Sequence, residues 1–305
     1  MRILRTEEQR FAQLPDFPFE PHYLDVAPNL RMHYVDERPE GEGVVEKAPH
    51  DAGPVLMLHG EPSWSYLYRH MIRPVVNAGY RVLAPDLIGF GKSDKPADLE
   101  DYSYQSHMDW LKTWLDALEL NNITLVCQDW GSLLGLRMAA EHPDRFSRII
   151  VGNGMLPTGD EKVPTIFHLW RGFAVYSPWF PISRIVQIGT ARALTDAECA
   201  GYDAPFPSSD YKAGARALPR LVPTRPDDPA SEANRAAWSS LRNWKKPFIT
   251  CFSNGDPITR GGDRFMQRQI PGAQGQPHTT LRGGHFLQED APQDFARVII
   301  EACRL

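Results

Sequence analysis

The residues best able to do chemistry lie in the segment 123–135, ITLVCQDWGSLLG. A short apolar run ends on a polar residue, and a glycine-bearing, helix-forming stretch follows at once. Such a strand-to-helix turn lifts one side chain clear of the backbone, which is how a nucleophile is presented. The side chain presented here is Asp129. Cys127, two residues before it, is small enough to stand where a glycine often does, and Gly131, two residues after it, lets helix and strand approach closely. Capping of the following helix is the competing role for an aspartate at this point. Ser132 lacks the spacing of a serine nucleophile and falls inside the expected helix. A carboxylate is already ionised at neutral pH, so it attacks saturated carbon in line without a base to activate it. The product is an ester, and its hydrolysis calls for a base, an orienting acid and donors for a tetrahedral oxyanion.

Each of those parts has a candidate. His285, in LRGGHFLQE, follows two glycines near the C-terminus and precedes a helical stretch. It is the candidate base, with an ordinary surface histidine as the alternative. Asp256, in the loop SNGDPIT, lies 29 residues before it and is the candidate orienting acid, with a turn aspartate as the alternative. The segment 56–62, LMLHGEP, ends an earlier strand, and there the backbone N–H of Glu61 is placed to donate to an oxyanion beside the N–H of Trp130. A plain strand terminator is the other reading of His59-Gly60. The chain order nucleophile, acid, base is the one used by α/β hydrolases.

Short apolar runs must hold these residues in place. Residues 54–58, 80–84, 123–127, 148–152 and 247–252 read as strands that are apolar on both faces, as parallel strands covered by helices are. Residues 104–118 read as a helix with Met108, Leu111, Leu115 and Leu118 on one face. Residues 23–26 and 31–35 read as an antiparallel pair at one edge, and the polar stretch 41–53 as a surface loop. The alternation implies an open, mostly parallel sheet flanked by helices. Between residues 155 and 230 the rhythm breaks, and ten prolines fall there with no buried strand. The expected division is therefore a core of residues 1–154 and 231–305, with a helical cap inserted at 155–230.

Bulk composition excludes several classes. The chain has 305 residues, 42% of them hydrophobic and 23% charged, with a net charge of −5, which is unlike a nucleic-acid binder. No run approaches the roughly 20 apolar residues of a membrane span, and Glu7 and Glu8 spoil a secretory signal. The four cysteines are widely spaced and the ten histidines show no metal-ligand spacing. A reduced cytoplasmic chain with no metal and no cofactor is expected, and a monomer is favoured.

The motifs HGEPSWSYLYRHM, GFGKSDKP, QDWG, DAPFP and GGHFLQED together resemble haloalkane dehalogenases, in particular the subfamily whose catalytic acid follows the strand after the cap. The resemblance runs from about Arg5 to the C-terminus. It implies the α/β-hydrolase fold with a helical cap, and hydrolysis of a halogenated alkane by water to an alcohol, with release of halide. It assigns Asp129 as nucleophile, His285 as base and Asp256 as the acid. It also implies two indole N–H donors for the leaving halide. An indole suits that task because its N–H only donates and its ring keeps the pocket dry. Trp130 matches the first. The second belongs to an F-x-x-W pattern on the first cap helix, matched by Phe167 and Trp170, with Phe167 lining the substrate pocket; Trp179 is the rival for Trp170.

Three other activities compete. An epoxide hydrolase would use the same triad with two cap tyrosines, for which Tyr176, Tyr202 and Tyr211 are present. A fluoroacetate dehalogenase would carry arginines just after the nucleophile, and residues 130–136 contain none. A ligand receptor built on a hydrolase fold needs no turnover at all.

Overall fold

The computed structural model describes residues 1–39 and 52–305. The expected loop at 41–53 therefore lies, but for its last two residues, outside the described residues. Ten strands and eleven α-helices are described. An eight-stranded sheet holds β2 (His22–Ala27), β3 (Leu30–Glu37), β4 (Val55–Leu58), β5 (Val82–Pro85), β7 (Ile123–Asp129), β8 (Phe146–Gly154), β9 (Phe248–Ser253) and β10 (Thr279–Leu281). A separate two-residue ribbon pairs β1 (Ile3–Leu4) with β6 (Lys95–Pro96). The sheet order is β10-β9-β8-β7-β4-β5-β3-β2. All neighbours from β10 to β5 run parallel, while β3 is antiparallel to both β5 and β2. This is the α/β-hydrolase architecture, with the antiparallel edge where the sequence places it.

The parallel strands are apolar throughout because both faces are covered. Every residue of β4 and β5 is buried, as are the first six of β7. The covering helices are α1 (Arg69–Asn77), α2 (Tyr104–Ala117), α3 (Trp130–Glu141), and, after the cap region, α8 (Ser231–Leu241), α9 (Gly262–Gln269), α10 (Leu287–Asp290) and α11 (Pro292–Cys303). The expected helix at 104–118 is α2, started by a capping box in which Ser103 Oγ accepts the Ser106 N–H at 2.9 Å and Ser106 Oγ accepts the Ser103 N–H at 2.9 Å. Helix α3 is buried on all sides except at Glu141, so it is wedged between the sheet and its neighbouring helices rather than lying on the surface.

Between β8 and α8 lie only helices: α4 (Thr165–Tyr176), α5 (Ile182–Gly189), α6 (Asp196–Asp203) and α7 (Ala213–Leu221). No helix among the described residues is long and apolar enough to cross a membrane. Three details differ from the reading of the sequence. Strand β7 continues past residue 127 through Gln128 to Asp129, and α3 begins at once at Trp130, because Asp129 makes the whole turn in one residue. Strand β10, of sequence TTL, is a partly exposed edge without an apolar run to announce it. The β1–β6 ribbon is two residues long and leaves no periodic signal.

Candidate active site

Asp129 sits at the carboxyl end of β7 with φ 49° and ψ −124°. Positive φ strains a residue that has a Cβ, and such strain persists only where the surroundings impose it. Two glycines make room for the turn. A Cβ on Gly131 would fall 2.0 Å from the Leu58 carbonyl oxygen, and one on Gly60 would fall 2.4 Å from the Asp129 side chain. The competing role of side-chain helix cap is excluded, since the Asp129 carboxylate accepts no hydrogen bond from its helix. Its Oδ1 instead accepts the Glu61 backbone N–H at 2.8 Å. Ser132 lies inside α3, where its hydroxyl donates to the Asp129 and Met155 carbonyls at 2.6 and 2.9 Å.

His285 lies between two carboxylates and is buried. Its Nε2 is 3.5 Å from Asp129 Oδ2 and its Nδ1 is 3.1 Å from Asp256 Oδ2. Burial opposes the imidazolium, but Asp256 and Asp129 outweigh it and push the ring's pKa up to about 10. Asp256 is buried as well. Burial works against its charge, yet the His285 cation and hydrogen bonds from Thr259 Oγ1 and the Ile258 N–H hold it down at about 2. The surface-histidine alternative is thus displaced by burial, while Asp256 both makes the turn contact, accepting from the Ile258 N–H at 2.9 Å, and faces His285.

The loop carrying His285 is itself anchored. Asn153 Nδ2 donates to the Gly284 and His285 carbonyls, each at 2.9 Å, and the Phe286 N–H reaches the Gly189 carbonyl at 3.1 Å. Gly284 is a glycine because a Cβ there would lie 2.4 Å from that same Gly189 carbonyl oxygen. His59, from the HGEP segment, is structural. Its Nδ1 donates to the Gly60 carbonyl at 3.0 Å, its Nε2 accepts the Leu87 N–H at 2.9 Å, and burial keeps it below the usual histidine range. The Glu61 carboxyl is buried with Oε1 unpartnered. Burial and the adjacent Asp129 push it well above the usual carboxylate range, which favours the neutral form.

Trp130 is buried, flanked by Tyr104 with ring centroids 5.3 Å apart and by His107 at 6.4 Å. Trp170 is half-buried on α4 and packs on Phe173 and Phe180, both at 5.9 Å. The rival Trp179 is 60% exposed. Phe167, one turn before Trp170, lines an apolar cavity of about 310 Å³ together with Met155, Val222, Trp238, Ile258 and Phe265; Asp129 is not part of its wall. Two of the three cap tyrosines are committed elsewhere and the third faces solvent. Tyr202 donates to the Glu289 carboxylate, Tyr211 to the Arg5 carbonyl at 3.4 Å, and Tyr176 is 85% exposed. No group of His, Cys, Asp or Glu among the described residues has the geometry to hold a metal ion.

Sequence reasoning missed the supporting residues Asn153, Thr259 and Gln128, whose Nε2 is 3.0 Å from His285 Nε2. Gln128 and Asn153 reach His285 across 157 and 132 residues of chain, and a single sequence carries no trace of such a contact, whereas Thr259 lies only three residues after the Asp256 it bonds. Gln128 stood inside a recognised motif, but only as the neighbour of the nucleophile.

Residues 53–292 match the alpha/beta hydrolase fold family. The chain is 55% identical to a haloalkane dehalogenase of Psychrobacter cryohalolentis, covering 99% of this chain and 98% of that one. It is 53% identical to a haloalkane dehalogenase of Mycolicibacterium paratuberculosis, covering 98% of each. Among solved structures, the tetrameric haloalkane dehalogenase of Paraglaciecola agarilytica superposes with a TM-score of 0.88 at 34% identity, over 100% of this chain and 98% of that one. A half-buried carboxylate held by a backbone N–H, faced by a histidine with its own carboxylate partner, is the arrangement that ester formation and ester hydrolysis require. With relatives matched over nearly their full length, the chain belongs to the haloalkane dehalogenases, the hydrolases of carbon–halogen bonds on the α/β-hydrolase fold.

Proposed function

We propose that Asp129 displaces halide from a halogenated alkane in line, and that the resulting ester is hydrolysed by water activated at His285. In the first step an Asp129 carboxylate oxygen bonds to the substrate carbon as the carbon–halogen bond breaks, and the halide leaves with the bonding pair. The indole N–H groups of Trp130 and Trp170 receive it. Trp170 is preferred to Trp179 because it is half-buried and packed against the core, whereas Trp179 faces solvent. In the second step His285 Nε2 takes a proton from water, and the oxygen attacks the ester carbonyl carbon. The N–H groups of Glu61 and Trp130 receive the oxyanion, each such donor contributing about 3 kcal/mol. Collapse expels the alcohol, which regains a proton from His285, and the new Asp129 carboxyl releases one to solvent. Asp256 orients the ring and stabilises its cation.

The observation that carries this reading is His285 held between Asp129 and Asp256, with Glu61 N–H already 2.8 Å from the nucleophile. The committed cap tyrosines speak against epoxide opening. Residues 155–230 act as the cap over a core of 1–154 and 231–305, and the apolar cavity beside Phe167 takes the far end of the alkyl chain. All the proposed groups come from one chain, so we take the working unit as a monomer. Four unpaired cysteines suit a reducing, cytoplasmic setting.

Halide release from a panel of short bromoalkanes tests the whole reading. The enzyme should release bromide, Asp129→Asn should release none, and Trp170→Phe should lower turnover more than Trp179→Phe. Styrene oxide opening without bromide release would defeat it, and the reverse order of the tryptophan variants would move the second donor to Trp179.

A further inference from the structure

Gln128 precedes the nucleophile on β7 and is fully buried. Its carboxamide meets the catalytic ring edge-on, with Nε2 3.0 Å from His285 Nε2 and 3.4 Å from the His285 carbonyl oxygen. Two nitrogens at that separation share one proton. An amide nitrogen only donates, so in this orientation of the carboxamide the ring nitrogen is the acceptor. For the neutral imidazole, which the ring reaches once ester formation removes the Asp129 charge, that places the proton on Nδ1, towards Asp256 Oδ2 at 3.1 Å. That is the tautomer a general base needs. Gln128 Oε1, meanwhile, is buried with no partner. An unpartnered buried acceptor is costly. Half a turn of the carboxamide would bring this oxygen to His285 Nε2, where it can accept from an imidazolium. One side chain thus has a correct hydrogen bond for each protonation state of the base, and the ring stays in one place while its proton comes and goes.

We propose that Gln128 is a positioning residue for water activation: it holds the neutral imidazole of His285 through Nε2 until water takes that place, and turns over so that Oε1 accepts from the imidazolium once water has lost its proton. The inference rests on the roles proposed above for Asp129 and His285. Displacement of halide needs no proton transfer, so the displacement step does not depend on Gln128. Hydrolysis of the ester does.

The test separates the two steps by rapid quench, following halide in the first turnover and the alkyl-enzyme by intact mass. Gln128→Met keeps the volume and loses both hydrogen bonds. Its first-turnover halide release should stay within about twofold of wild type, while ester hydrolysis slows by about tenfold and the ester accumulates. The values of kcat and KM should fall together, leaving kcat/KM unchanged. Unchanged hydrolysis, or both steps slowed alike, would overturn the inference. His285→Phe is the control. It should trap the ester outright; failure to do so defeats the proposed roles themselves, whereas a trapped ester there with normal hydrolysis in Gln128→Met defeats only this inference. Should the methionine variant not fold, Gln128→Glu carries the test. Asp256, Asp129 and Glu61 are the titratable groups already facing His285. A further carboxylate against Nε2 should move the acid limb of hydrolysis to higher pH and leave displacement flat. An unmoved limb would overturn the inference.

Discussion

In the proposed cycle His285 changes its acidity, because one of the two charges that stabilise its cation is consumed by the chemistry. In the free enzyme burial opposes the imidazolium, Asp256 and Asp129 favour it, and the balance stands at about 10. Ester formation removes the negative charge of Asp129, so the ring loses a stabiliser and its pKa falls. Hydrolysis should therefore quicken as pH rises, with an inflection below about 10, while displacement of halide shows no such limb. Rapid-quench rates of both steps across the neutral-to-alkaline range check this, and a shared limb would contradict it. The same shifts have a stability consequence. His285 is raised from 6.5 to about 10, so its contribution is complete below 6.5 and is lost as pH rises towards 10. Asp256 is lowered from 3.8 to about 2, so its contribution is present above 3.8 and is lost as pH falls towards 2. Thermal denaturation of His285→Phe should accordingly show a weaker alkaline decline than wild type.

At the level of elements, the loop bearing His285 is clamped to the cap by a buried ionic cluster. Arg69, the first residue of α1 and wholly buried, donates to Glu289 on α10 at 3.0 Å and to Glu198 on α6 at 2.9 Å. Arg192, between α5 and α6, pairs with Glu198 at 2.7 Å and with Glu289, and Tyr202 also donates to Glu289. Next to it, Asp290 accepts from the backbone N–H groups of Ala191 at 2.9 Å, Arg192 at 2.9 Å and Gly284 at 2.7 Å. Removing one partner from a buried pair leaves the other charge uncompensated, at a cost of about 3–5 kcal/mol. Arg69→Met should cost that much in denaturant unfolding. Arg297→Met, which breaks an exposed i,i+3 pair with Asp294, should cost less than about 1 kcal/mol. Equal losses would show that the cluster stabilises no more than a surface pair does.

Over the whole molecule, cap and core come together around the apolar cavity of about 310 Å³. Its wall takes Phe167 from α4, Val222 after α7, Trp238 from α8 and Ile258 beside Asp256, so its size is set by how the cap sits on the core. Each buried CH₂ of a substrate chain gains about 0.8 kcal/mol. Filling the cavity with Val222→Trp should therefore lower kcat/KM for bromohexane by roughly tenfold relative to bromoethane, since about two methylenes lose their place. An equal effect on both chain lengths would place the alkyl tail elsewhere.

Much of this protein was determined by local sequence. The apolar runs define β4, β5, β7, β8 and β9, because a strand covered on both faces must be apolar along its length. The turn at Asp129 is legible because Gly131 leaves the space that only a residue without Cβ can leave. The order of Asp129, Asp256 and His285 follows from the order of the strands that carry them. Tertiary structure alone decided what those residues touch. It set Asp129 against the Glu61 N–H instead of its own helix, committed Tyr202 to Glu289, and left Trp179 outside while burying Trp130. It also brought Gln128 and Asn153 to His285 across 157 and 132 residues of chain. Hydrophobic patterning is written in neighbours a few residues apart, whereas a buried polar contact is satisfied by whatever the folded chain brings within about 3 Å, and no local pattern records it.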